Sequence, residues 1–499
     1  MARGGGAWGR QLLVALPLVV AAAAAALLVA GCGGSGSRPS ASAAPPTAPA
    51  GPATTMPAAA AAAPAATAPV APPAGVLVAI QVVDGDTGQP VLTARVRFGA
   101  DVLRRAGARG VATARVLEAA ALRVTVTAPG YRRRVLAFAG AASGESSRRI
   151  VLYRRATQWP MYGVNPARTQ AQEAIRLRPP FRQVWSQGLG SMLEFPAVVY
   201  EGAAFIITFD GAVHALSMKD GRELWRYSPP DGKSASSPAV WGDLLVVHDM
   251  RGKVTLLDRA TGAFRWLHDF GSPIESSPVV VAGVDLFGAW DGRIVALDLR
   301  SRAVRWTVAT GAKITASAAV VGDDVVIGDY DGRVRVLSLA TGAVRWTATV
   351  NGRVYGTPAV AAGRVFVPSS SGATLTAFDL ADGHRLWQRR AGSYVYSAPA
   401  VWGDRVVFGS YDGQLRCLDA ATGETVWSVG LGGPISGAVV AIAGIAYAGS
   451  FAHRILGVEI ATGATVFDFP HGEYVPVSGN GARLLLHGFS RIFAVEPAP

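Results

Sequence analysis

Few side chains in this sequence have the type and spacing to do chemistry. Glu194 and Glu275 stand just ahead of short apolar strand patterns, where carboxylates could serve a cofactor, but no Asn or Asp partner can be assigned to either. The seven histidines are separated along the chain. His214, in Val213-His214-Ala215-Leu216, reads as a packed strand residue. His248 and His268, beside Asp249 and Asp269, read as turn-edge residues with a surface role rather than as metal ligands. There is no G-x-S-x-G, no phosphate-binding loop and no paired metal-ligand spacing. The only cysteines are Cys32 and Cys417, too few for a disulfide framework, and Cys417 lies within a strand pattern as a small buried hydrophobe. The expected catalytic and metal-ligating sets are therefore empty, and binding is the better expectation. Glu194, Glu275, Lys313, Arg353, Tyr355, Tyr394, Tyr396 and Tyr474 all fall in segments that enter apolar strands. Tyrosines mixed with charges suit recognition of an extended peptide or a glycan.

These residues are positioned by a repeat. One unit recurs from Phe181 onward: S-x-P-A-V, G-D-x-V, an aromatic followed by Asp-Gly, a strand ending in Leu-Asp, then T-G-x-x-x-W. Trp225, Trp266, Trp306, Trp346, Trp387 and Trp427, with Phe467 next, are spaced by 40 or 41 residues. A fixed period of this length means stacked supersecondary units. Each unit reads as four short strands, the pattern of a propeller blade. Third strands end at Leu216, Asp258, Asp298, Ser338, Asp379, Asp419, Glu459 and Glu496, which counts eight units. The eighth stops at Pro499 without an outer strand, and Phe181-Arg182-Gln183-Val184-Trp185-Ser186 supplies one from the other end. The apolar run from Ile435 to Tyr447 is short, contains Gly437 and Gly444, and aligns with strands of the seventh unit, so it is not a membrane span.

The form Leu418-Asp419-Ala420-Ala421-Thr422-Gly423-Glu424-Thr425-Val426-Trp427 resembles the pyrroloquinoline-quinone-type repeat. The lead-in Trp159-Pro160-Met161-Tyr162-Gly163-Val164-Asn165-Pro166-Ala167-Arg168-Thr169 resembles the segment before many such propellers. That family includes quinoprotein dehydrogenases and the propeller lipoprotein of the outer-membrane barrel-assembly machinery. The resemblance implies that Trp185, Trp225, Trp266, Trp306, Trp346, Trp387 and Trp427 wedge between blades. Burial of a large ring with one N–H to satisfy agrees with that role. The aromatics before Asp-Gly (Phe209, Trp290, Tyr330, Tyr411) are expected to be packing groups as well. The dehydrogenases add calcium-binding Glu and Asn, a catalytic Asp, long inserted loops and, in many, an adjacent-cysteine disulfide. Here Cys417 is alone and the spacing leaves no room for long insertions. No cofactor is expected, and pyrroloquinoline quinone with calcium belongs only to the dehydrogenase alternative.

The rest of the chain sets where the repeat works. Arg3 and Arg10 precede an apolar run from Leu12 to Ala30 that ends in Val29-Ala30-Gly31-Cys32. A positive start, an apolar centre and small residues at a cut site make a secretory signal. The cysteine after the cut resembles the bacterial lipobox, which implies lipidation of Cys32, with Val29 departing from the preferred Leu. The alternative is an uncleaved span, and either form tethers the protein to the bacterial membrane outside the cytoplasm. Residues 32–75, rich in Ala and Pro, read as a disordered linker.

Residues 76–154 alternate as short strands. The turn Asp84-Gly85-Asp86-Thr87-Gly88-Gln89-Pro90 with Val91, and Ala128-Pro129-Gly130-Tyr131, resemble the carboxypeptidase regulatory-like β-sandwich family. That resemblance implies a small Ig-like sandwich acting as a spacer. The expected order is therefore signal (1–31), linker (32–75), sandwich (76–154), lead-in (155–180) and an eight-bladed β-propeller (181–499) closed by its N-terminal outer strand. The fold class is all-β.

Formal charge is +13, or +11 without the leader's Arg3 and Arg10. The arginines are scattered and form no basic stripe, so nucleic acid is not an expected partner. Anionic head groups, acidic wall polymers and acidic proteins are favoured neighbours. The expected function is a non-catalytic, monomeric platform for envelope proteins. The alternatives are a module binding wall glycan or polyanion and, third, the quinone-dependent dehydrogenase.

Overall fold

A computed structural model describes residues 76–116, 121–139 and 145–499 of the chain. The signal and linker segments, with Cys32 and the proposed lipidation, lie outside the described residues.

Strand Val76–Asp84 alternates buried and partly exposed residues for most of its length, the pattern of a strand with one face on a core. It lies between Val111–Val116 (antiparallel) and Glu145–Leu152 (parallel). A second sheet runs in the order Val102–Arg105, Arg95–Phe98, Ala121–Thr127, Arg134–Ala139. The two share one core containing Ile80, Val82, Val96, Phe98, Val124, Val126, Ile150 and Leu152.

Residues beyond this sandwich form eight sheets of four antiparallel strands, the seventh extended by a short fifth strand, Ala171–Gln172 of the lead-in, paired parallel with Val440–Ile442. The first is Val198–Tyr200, Ala203–Ile207, Val213–Ser217 and Glu223–Tyr227. Its second and third strands are almost wholly buried, while the outer strand is largely exposed. The last sheet takes Phe181–Gly188 as its outer strand, paired antiparallel with Arg491–Pro497. The run Ile435 to Tyr447 contributes Val440–Ile442 and part of Ile445–Ser450, and no described helix is long and apolar enough to cross a membrane.

The repeat's signature has a geometric cause. Each wedge residue pairs across its bulge with a residue of the third strand: Trp346 with Val336, Trp427 with Cys417, Trp185 with Ala494. In six of the seven tryptophans, all but Trp266, the indole N–H reaches the next blade, as from Trp346 to the Leu380 carbonyl (2.8 Å) and from Trp427 to that of Ile460 (2.8 Å). Trp185 does the same across the ring closure, to Met218 (3.1 Å). The glycine of the turn before the outer strand, Thr-Gly in most blades and Asp-Gly at Gly221 and Gly383, packs under the ring of the preceding blade. At Gly383, φ is +75° and an added Cβ would sit 2.6 Å from the Trp346 ring. In the third blade Arg302 (φ +60°) holds the corresponding left-handed position.

The lead-in threads the inner side of the ring. Carbonyls of Pro160, Pro166, Ala167, Thr169 and Gln170 accept from Val240, Val320, Val360, Val401 and Ala441, one on each of five inner strands. Arg168 is fully buried and donates to the carbonyls of Tyr162, Ser277, Pro278 and Ala318. Alongside runs a belt of hydroxyls: Ser277 Oγ accepts from the Ser237 N–H, Ser317 Oγ from Ser277, and Thr357 Oγ1 from Ser317, each 40 residues apart.

The sandwich and the propeller belong to one compact unit. Arg132 of the sandwich and Arg259 of the second blade both pair with Glu201 (3.4 and 2.9 Å). Asp86 accepts from Asn480 Nδ2 of the eighth blade (3.0 Å). The sandwich is thus seated on the propeller rather than strung out as a spacer.

Candidate functional site

In an antiparallel blade, the segment entering the first strand and the hairpin between the second and third strands fall at the same end. The other two turns fall at the opposite end. A repeated hydrogen bond ties entry segment to hairpin: Phe209 N–H to the Met192 carbonyl, Trp290 to Pro273, Tyr330 to Lys313, Tyr411 to Tyr394 and Phe451 to Pro434. The entry residues named from sequence therefore share one rim with the aromatics before Asp-Gly. The sandwich contacts the opposite end, through Glu201, Arg259 and Asn480.

Glu275 organises one side of this rim. It is buried, and its two oxygens accept from Trp290 Nε1 (3.0 Å) and Tyr355 Oη (2.9 Å). Lys313 Nζ lies 3.3 Å from the centre of the Trp290 ring and 5.0 Å from that of Tyr330, a cation–π arrangement. The Arg353 guanidinium lies 5.6 Å from Tyr330. Ring contacts then run from Tyr355 to Tyr396 (5.1 Å), Tyr396 to Tyr411 (4.9 Å), Tyr411 to Phe451 (6.0 Å) and Phe451 to Tyr474 (4.8 Å). Tyr394 packs on Tyr396 and Tyr411. The result is an arc of aromatics across blades three to eight.

Glu194 joins the site through its field alone. Burial, with the like charge of Glu275 behind it, pushes its carboxyl up to about 7, against a smaller opposing pull from Lys233. Burial and the Glu275 charge hold the Tyr355 hydroxyl well above its ordinary range, and burial pushes the Lys313 ammonium down.

The structure brings together seven of the eight residues named from sequence by direct contact. The packing expected of the aromatics before Asp-Gly takes place on this rim, where Trp290, Tyr330 and Tyr411 join the arc, with Trp290 37% exposed and Lys313 on its face. Phe451 and Phe489, which sequence reading missed, stand on the same rim, and the signal was their place in the second hairpin of their units. Among the described residues five large aromatics are exposed, and four of them (Trp290, Tyr394, Phe451 and Phe489) lie at this end. An apolar cluster of that kind marks a contact surface.

One expectation is corrected: His248 is fully buried instead of at a surface turn. Its Nδ1 donates to the Ser276 carbonyl (2.8 Å) and its Nε2 lies 2.9 Å from Asp285. A surface role required solvent, and the inner strand beside it removes that. His268 is exposed, and His214 is buried beside Glu223 (2.8 Å).

No group of three or more His, Cys, Asp or Glu among the described residues could hold a metal ion.

Ring closure and the interblade tryptophans define an eight-bladed propeller protein with an aromatic rim at one end. Residues 180–289, 290–397 and 392–495 match the family described as outer membrane protein assembly factor BamB, and the chain belongs to that family. A BamB of Marinobacter adhaerens is 28% identical over 89 residues, which are 18% of this chain and 22% of that protein. The chain thus spans about a fifth of that relative's length. Among solved structures, BamB from Moraxella catarrhalis superposes with a TM-score of 0.55 at 22% identity, over 64% of this chain and 98% of that one. Quinohemoprotein alcohol dehydrogenase from Comamonas testosteroni gives 0.59 at 15% identity, over 68% and 81%. At these identities the superpositions speak to fold.

Proposed function

We propose that this protein is an extracytoplasmic, lipid-anchored scaffold that docks cell-envelope proteins on the aromatic rim of its propeller. The observation that carries the reading is the concentration of exposed aromatics and half-buried tyrosines at the end opposite the sandwich. Rigid aromatic side chains offer contact area at low entropic cost, and the charges around them supply orientation. The relatives described as assembly factors of the outer membrane support an envelope location. The role uses no cofactor and leaves the propeller monomeric.

The test is cross-linking in intact cells followed by mass spectrometry of what the protein retains. Two variants serve as controls: Tyr355→Ala with Tyr396→Ala, and Tyr394→Ser with Phe451→Ser. The second pair is nearly half exposed, so its substitution perturbs the fold less than that of the half-buried tyrosines. Recovery of a recurring envelope protein that both variants lose supports docking. Equal recovery in all three proteins overturns it. Absence of any recurring protein, with binding to isolated wall polymer, transfers the rim to glycan recognition.

A further inference from the structure

A cavity of about 400 Å³ lies where the sandwich meets the propeller, at the end away from the aromatic rim. It is lined by the Asp84–Gly88 turn, Arg149 and Tyr153 of the sandwich, and by Lys219, Asn480 and Arg483 of the first and eighth blades. Clefts of this size between structural units are common ligand sites. What such a cleft takes follows from which of its hydrogen-bonding groups are already satisfied.

The acceptors are. Asp84 receives Tyr131 Oη (2.7 Å), Arg154 Nε (2.9 Å) and the N–H groups of Asp86 and Thr87. Asp86 receives Thr157 Oγ1 (3.1 Å), Asn480 Nδ2 (3.0 Å) and the Gly481 N–H. Arg483 is also committed, to the carbonyls of Met218 and Lys219 (2.8 and 3.0 Å) and to Glu496 (3.2 Å).

Three lining donors are not. Arg149 and Lys219 are exposed and carry no side-chain hydrogen bond or ion pair to the described residues. The Tyr153 hydroxyl has no hydrogen-bond partner among the described residues, although the side chain is fixed between Gly85 and Gly202, where an added Cβ would come within 2.2 Å of its ring and 2.4 Å of its hydroxyl. The cleft therefore offers three spare donors, two of them cationic, beside two carboxylates that already accept four and three hydrogen bonds. The complement of that set is an oxyanion.

We propose that this cleft binds a phosphate group, held by Arg149 and Lys219 with the Tyr153 hydroxyl as a third donor. The same chemistry is presented by a lipid head group and by a soluble phosphate ester. The site is independent of partner docking on the rim, which lies at the other end of the molecule.

Titration of the full chain with inorganic phosphate, followed by calorimetry at low salt, tests the assignment. The variants are Arg149→Gln with Lys219→Gln, whose exposed positions leave the fold intact, and Tyr153→Phe, which keeps the ring. Saturable binding weakened at least tenfold in the double variant and several-fold in Tyr153→Phe supports the site. Sedimentation with phosphatidylglycerol and phosphatidylcholine vesicles identifies the source. A preference for phosphatidylglycerol that the double variant loses assigns a lipid head group, and phosphate binding without that preference assigns a soluble ester. Phosphate binding equal in all proteins, or neither phosphate binding nor a vesicle preference, overturns the proposal.

Discussion

Replacing Trp346 with Ala tests the cause of the repeat itself. The ring fills the gap between the fourth and fifth blades, contacts Phe378, and satisfies the Leu380 carbonyl at 2.8 Å. Removing a largely buried indole withdraws about 100–150 Å² of apolar area, or about 3 kcal/mol at 25 cal/mol per Å². The Leu380 carbonyl is left without its donor, at about 1 kcal/mol unless water replaces it. A total of about 3–4 kcal/mol lies within the range for such truncations and corresponds to a fall in Tm of about 5 °C for a unit of this size. The partner change is Gly383→Ala. It costs about 1–2 kcal/mol from the left-handed backbone at φ +75°, plus the overlap of its Cβ with the Trp346 ring at 2.6 Å. Once Trp346 is already Ala, only the backbone cost remains. The double variant is therefore expected to be more stable than the sum of the singles implies, by about 1 kcal/mol or more. Thermal and urea unfolding of the four proteins measures this. Additive effects, or an unchanged melting temperature for Trp346→Ala, refute the view that glycine and tryptophan recur because each blade's turn packs under the previous blade's ring.

Arg168→Met should destabilise by about 3–5 kcal/mol, because the buried carbonyls of Tyr162, Ser277, Pro278 and Ala318 lose one shared donor; urea unfolding reads it. Glu194, raised from 4.5 to about 7 in the folded protein, favours folding fully only below about 4.5 and loses that contribution as pH rises through 7. Glu194→Gln should therefore gain on the order of 1–2 kcal/mol over the parent between pH 5 and pH 8, in melting curves taken across that range. Asp86, raised from 3.8 to about 6 chiefly by burial, follows the same sign, so Asp86→Asn should flatten the pH dependence of hydrogen exchange at the sandwich–propeller contact between pH 4 and 7. His487 has the opposite sign: burial lowers it from 6.5 to about 4, and the stability it carries above pH 6.5 should be lost as pH falls through 4, a loss absent from His487→Gln.

The rim shows where reading by residue type ends. Glu275, Lys313, Arg353, Tyr355, Tyr394, Tyr396 and Tyr474 could be named because the position of an entry segment within a blade follows from the period alone. That Glu275 accepts from Tyr355 could not, since those residues are 80 apart in sequence and meet only when the ring closes. Trp290 and Tyr330 carried the same hairpin signature as interior aromatics would, and nothing local distinguishes a ring facing a funnel from one facing a neighbour. His248 beside Asp249 looks like a turn edge in sequence, yet its partner is Asp285 on the adjacent blade.

The sequence by itself determined the period, the four-strand unit, the count of blades and the strand that completes the last one. These rest on local alternation, turn residues and a spacing of 40 or 41, all properties of neighbours along the chain. Only the tertiary structure decided that the lead-in threads the inner strands, that the sandwich occupies one end of the propeller, and that the aromatics gather at the other. Those outcomes depend on which hydrogen-bonding groups remain unsatisfied once the blades have closed, and that is settled between residues far apart in the chain.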